Sequence, residues 1–144
     1  MAANDKSISV VEYAIARLAK AGVKDIFGLP GDFAFPWCDA IVNSKDVNWL
    51  GASNELNASY AADGYARING IGAISTTYAV GELSAVNGMM GAKAERLPVV
   101  HLVGMPSMRM QKQPNKIQHH TLGAVSYTHL RAHETERLIS YAVF

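Results

Sequence analysis

Four short apolar runs, separated by stretches of helical character, constrain this 144-residue chain more than any other feature. The runs fall at residues 24–29, 47–52, 71–78 and 98–103. Between them, residues 33–42, 54–67 and 81–92 have the spacing or the small-residue content of helices. Pro36 must then sit in the first turn of its helix, where a missing N–H does no harm. An earlier helix is expected after Ser7 as cap, with Val10, Val11, Ala14, Ile15, Leu18 and Ala19 at apolar positions and Gly22 as its stop. Strands and helices that alternate in this way connect as parallel strands with helical crossovers. The expected fold is α/β, a doubly wound, mainly parallel sheet with helices on both faces. Ligands of such sheets sit beyond the carboxyl ends of the strands. Asp32, Asn54-Glu55, residues 78–82 and residues 104–107 all fall at those ends.

Composition narrows the partners. The chain is 49% apolar and 17% charged, as a soluble globular domain is, and its length suits one core. A net charge of +1 offers no electrostatic case for nucleic acid or an anionic membrane. No apolar run approaches the roughly 20 residues of a spanning helix. The single cysteine, Cys38, excludes an internal disulfide framework and suits a reducing compartment. The opening residues lack the basic and apolar regions of a secretory signal, so a cytoplasmic protein is expected.

Few residues could carry chemistry. Asp32 and Glu55 are the two carboxylates whose loops share one rim. A carboxyl withdrawn from water could hold a proton near neutrality and share it. Equally, Asp32 could cap the helix after it and Glu55 could complement a helix N-terminus. His119-His120 could act as acid-base groups, because imidazole titrates near neutral pH. His129 and His133 have the i, i+4 spacing of a zinc pair, but two ligands do not complete a site, and no metal site is expected within this chain. Glu82 most simply complements the helix it opens. Gly70-Ile71-Gly72 lacks the third glycine and the following helix of a dinucleotide fingerprint.

The wording of five segments is more specific than their chemistry. Phe27-Gly-Leu-Pro-Gly-Asp-Phe33, Asn54-Glu-Leu-Asn-Ala-Ser-Tyr-Ala-Ala-Asp-Gly-Tyr-Ala-Arg67, Val80-Gly-Glu-Leu-Ser-Ala-Val-Asn-Gly88, Ala94-Glu-Arg-Leu-Pro-Val-Val-His-Leu-Val-Gly104 and His119-His-Thr-Leu-Gly123 resemble one family. It is the thiamine-diphosphate-dependent 2-oxo acid decarboxylases, which include pyruvate, indolepyruvate and phenylpyruvate decarboxylases. The resemblance runs from about Ile8 to Gly123 and covers the family's N-terminal, pyrimidine-binding domain. It implies a thiamine-diphosphate-binding fold and the non-oxidative conversion of a 2-oxo acid to an aldehyde and carbon dioxide. It also implies that Glu55 bonds ring nitrogen N1′ of the cofactor's aminopyrimidine, and that Asp32, His119 and His120 form an acid-base cluster around the substrate. Pro30, Gly31, Tyr78, Gly81 and Glu82 fall with Glu55 among the residues expected at the cofactor. Two other readings stay open: a carboligating enzyme of the acetolactate-synthase type, which the histidine pair argues against, and a catalytically inactive fragment or split subunit.

Two departures qualify the resemblance. The family's magnesium-diphosphate motif belongs to a domain with no counterpart here, so Mg2+ is expected to be held elsewhere. The family's cofactor bridges two subunits of a homodimer or homotetramer, so this chain should hold half a site and bind thiamine diphosphate weakly. After Gly123 the family's wording stops, and Ala124-Val-Ser-Tyr-Thr-His-Leu-Arg-Ala-His-Glu-Thr135 resembles a translated sequencing adapter. The expectation is a partial domain over residues 5–123 and a non-native tail over 124–144, with at most a weak helix at 134–143. The sheet should then be incomplete at its C-terminal end, with an open edge.

Overall fold

The computed structural model describes residues 8–112 together with Ala142–Val143. Helix α1 (Val10–Lys20) is capped by Ser9 rather than Ser7, which lies outside the described residues. Ser9 Oγ accepts from the Glu12 amide, and the Glu12 carboxylate accepts from the Ser9 amide at 2.8 Å. This reciprocal box satisfies two amides that a helix start leaves unpaired. Of the expected apolar positions, Ala14, Ile15 and Leu18 are buried, while Val10 is 72% exposed.

Strand β1 (Asp25–Gly28) leads through a single 3-10 turn, Asp32–Ala34, into α2 (Phe35–Val42), with Pro36 in its first turn as expected. Strand β2 (Asn48–Gly51), helix α3 (Glu55–Asn69) and strand β3 (Gly72–Thr77) follow. The one helix expected over 81–92 is two, α4 (Val80–Ser84) and α5 (Val86–Ala94), which meet at Ala85. Strand β4 (Val99–Gly104) and a short helix α6 (Met108–Gln111) complete the continuous part. The tail differs from its expected helix at Ala142–Val143, which form a two-residue strand, β5.

The sheet order is β2-β1-β3-β4-β5, with β2, β1, β3 and β4 parallel and β5 antiparallel. The edge beyond β4 is therefore partly covered, through pairs Val100↔Val143 and His101↔Ala142. Helices α1 and α2 cover one face, where Ile15, Leu18 and Ile41 pack on Ile26, Ala73, Val100 and Leu102. Helices α3 and α5 cover the other, where Ala58, Ala62, Ala66 and Met89 pack on Ile74 and Val99. Alanines and a close Gly88–Ser59 contact let α3 and α5 lie near one another. Arg67 ties their far ends, bonding Asp63 and Glu95 at 2.6 Å each. This is the doubly wound α/β architecture the alternation implied. Among the described residues no helix is long and apolar enough to cross a membrane.

Strand order fixes where a ligand can enter. The chain passes from β1 outward to β2, then returns to place β3 on the other side of β1. The crevice between the carboxyl ends of β1 and β3 is thus the topological switch point, where loops diverge and leave room.

Candidate functional site

The switch point is lined by three corners. After β1 comes Pro30-Gly31-Asp32, with Pro30 and Asp32 exposed. After β3 comes Tyr78 to Glu82, and after β2 comes Asn54-Glu55 at the start of α3. Three of the four loops expected at the rim thus border the switch point. Asn54 Oδ1 accepts from the Asn57 amide at 2.9 Å, which makes Asn54 the cap and leaves Glu55 as the first helical residue, half-buried. An acid there also faces the positive end of α3, a position that favours its charged form.

Gly81 is what admits the Glu55 carboxylate. A Cβ at Gly81 would stand 3.0 Å from Glu55 Oε1, 3.1 Å from Thr77 Cγ2 and 3.4 Å from Thr76 Cβ. Across the crevice, a Cβ at Gly31 would stand 2.7 Å from Thr77 Cβ. Both glycines let main chain press on the end of β3, and any side chain would push the corners apart. The Asp32 reading as a helix cap is narrowed: Gly31 occupies the cap position, and Asp32 Oδ1 accepts from the adjoining Phe33 amide at 3.1 Å.

Tyr78 behaves as a clasp. Its ring is 4% exposed and meets Phe33 edge-on with centroids 5.1 Å apart, and its amide donates to the Gly104 carbonyl at 2.9 Å. One residue therefore joins the corner after β3 to the turn after β1 and to the end of β4. Glu82 is half-buried in the first turn of α4. His119, His120, His129 and His133 lie outside the described residues. No cluster of three metal-ligating side chains occurs among the described residues.

Periodicity alone passes over His101. It sits mid-strand in β4, 5% exposed, with Nε2 2.8 Å from Thr76 Oγ1 on β3. Burial makes its charged form costly and pulls its pKa down to about 4, so the ring is neutral at physiological pH. The only sequence signal was one imidazole in an apolar strand, which does not reveal a partner 25 residues away.

The donor set suits a flat nitrogen heterocycle better than a phosphate. The charged groups at the three corners are Asp32, Glu55 and Glu82, and residues 29–34, 52–55 and 78–84 contain no lysine or arginine. Three acids repel a diphosphate, whereas one carboxylate above a glycine-lined gap can bond a ring nitrogen.

The family described as "Thiamine pyrophosphate enzyme, N-terminal TPP binding domain" matches residues 8–130. A chain provisionally named pyruvate decarboxylase in Schizosaccharomyces pombe is 54% identical over 118 residues, covering 81% of this chain and 20% of that one. An alpha-keto-acid decarboxylase of Mycobacterium ulcerans is 48% identical over 128 residues, covering 89% of this chain and 22% of that one. A thiamine metabolism regulatory protein of Saccharomyces cerevisiae is 46% identical over 123 residues, covering 85% of this chain and 20% of that one. The chain spans about a fifth of the length of these relatives. With a match that extends over most of its length, the chain belongs to the thiamine pyrophosphate enzymes, as their N-terminal TPP-binding domain.

Proposed function

We propose that this chain is the pyrimidine-binding portion of a thiamine-diphosphate- and magnesium-dependent 2-oxo acid decarboxylase that acts in the cytoplasm and releases an aldehyde and carbon dioxide. The observation that carries the reading is the half-buried Glu55 carboxylate, seated against Gly81 at the switch point in a corner without cations. Bound thiamine diphosphate supplies the electron sink for loss of carbon dioxide. Glu55 holds a proton in common with aminopyrimidine nitrogen N1′, and the glycines at 31 and 81 let main chain approach the ring, with Pro30, Tyr78 and Glu82 framing it. Asp32, with His119 and His120, handles protons on the substrate side. Because the rim offers the diphosphate no cation, that group, with the Mg2+ it chelates, is held by another domain, in a homodimer or homotetramer. The proposed domain runs over residues 5–123, and residues 124–144 are a non-native tail.

The test is Glu55→Gln in the complete polypeptide that carries this segment, assayed for carbon dioxide release from 2-oxo acids. Loss of a proton-holding group should lower turnover roughly 10²- to 10⁴-fold. Full activity in the variant would end the reading. A second reading, cofactor binding without turnover, draws support from the similarity to the thiamine metabolism regulatory protein. Saturable thiamine diphosphate binding by a wild-type protein that releases no carbon dioxide would favour it.

A further inference from the structure

Thr77 ends β3 at the centre of the switch point and is 4% exposed. Its neighbour Thr76 has His101 as a hydroxyl partner, but Thr77 Oγ1 has none among the described residues. A buried hydroxyl left unpaired costs about 1–3 kcal/mol, so no hydrogen bond within the described residues accounts for a threonine here. Its carbon atoms do. The Cβ and Cγ2 atoms lie 2.7 Å and 3.2 Å from where a Cβ on Gly31 would stand, with Oγ1 farther at 3.4 Å, and Cγ2 alone of the side chain lies near the equivalent point on Gly81, at 3.1 Å. The same point on Gly81 is 3.0 Å from Glu55 Oε1. One methyl group is thus held between the turn that carries Asp32 and the corner that receives Glu55.

We propose that Thr77 is a positioning residue whose methyl group, and not its hydroxyl, sets the spacing between the Asp32 turn and the Glu55–Gly81 corner. The proposal rests on the reading of Glu55 and Asp32 as proton-handling groups of one site. Valine keeps the methyl and removes the hydroxyl; serine does the reverse. The two substitutions therefore give opposite results for a spacer and for a hydrogen-bonding group.

In the complete polypeptide, Thr77→Val should keep turnover within about twofold of wild type. Thr77→Ser should lower kcat about tenfold or more and displace the pH profile of kcat/KM, because a small misplacement of reacting groups is costly. A second measurement needs no activity. Amide exchange at Ala34, which donates to the Gly31 carbonyl, and at Ala85, which donates to the Gly81 carbonyl, should quicken about tenfold in Thr77→Ser and stay unchanged in Thr77→Val. The Ala21 amide, bonded to Arg17 far from the site, should stay protected in both. Thr77→Val that loses activity or fails to fold, or Thr77→Ser that matches wild type in exchange, would overturn the proposal. A wild-type protein that releases no carbon dioxide would instead count against decarboxylation, and the exchange comparison would still decide the role of Thr77.

Discussion

At the scale of single residues, Ala79 is held in a strained backbone conformation. Its φ of 53° and ψ of −95° lie on the positive-φ side, near the γ-turn region that residues with a Cβ seldom adopt. The position explains the conformation: one residue must take the chain from the end of β3 into α4, and the Ala79 carbonyl already accepts from the Leu83 amide at 2.7 Å. Strain of this kind costs of order 1–3 kcal/mol. Ala79→Gly should therefore stabilise the chain by about 1 kcal/mol, a rise of roughly 3–4 °C in melting temperature for a chain of 144 residues. A thermal melt checks it, and a lower midpoint would mean that the alanine methyl contributes more packing than the strain removes. The wording was distinctive at Glu55 and Asp32, and the placement of both at the rim of the sheet followed from the alternation of elements. The wording was silent about Thr76–His101 and Thr77, because those contacts arise from strand order, which no local pattern encodes.

At the scale of elements, the caps decide how firmly the site is held. The Asn54 side chain satisfies one amide of the α3 start, and Glu55 is the next residue along. Asn54→Ala should cost about 1 kcal/mol and fray that first turn. Asn54→Asp should retain most of the stability, since its carboxylate accepts the same amide. Melts of both variants and exchange at the Asn57 amide distinguish the outcomes; equal stability of Asn54→Ala and wild type would discount the cap. Small residues made the helical segment after β3 recognisable, but they hid its break at Ala85. Beyond the break α5 packs on α3, with Gly88 pressed against Ser59, a tertiary contact that propensity does not encode. The Ser9 cap was missed for a simpler reason: Ser7 and Ser9 both precede the apolar run, and only Ser9 has Glu12 three residues on.

At the scale of the whole molecule, alternation and the parallel rule made the layers and the rim predictable, whereas the order β2-β1-β3-β4 needed the structure. That order stacks β4 against β3 and buries His101 between sheet and helices, which links stability to acidity. The His101 pKa is depressed to about 4 in the folded chain from an ordinary 6.5. Between those values the unfolded chain binds the proton and the folded chain does not, so stability rises with pH across this window. Above pH 6.5 the contribution is fully present. As pH falls it is lost progressively, until near pH 4 the folded state protonates as well and the slope vanishes. At 1.36 kcal/mol per pH unit, the loss amounts to about 3 kcal/mol as an upper figure for this one group. Denaturation followed from pH 7 to pH 4 should show that decline, and His101→Gln, which does not titrate but can still bond Thr76, should flatten it. Equal slopes in the two proteins would assign acid sensitivity to the carboxylates and remove His101 from the account. A flattened slope would assign that acid-linked loss of stability to His101, buried between β3 and β4 behind the switch point.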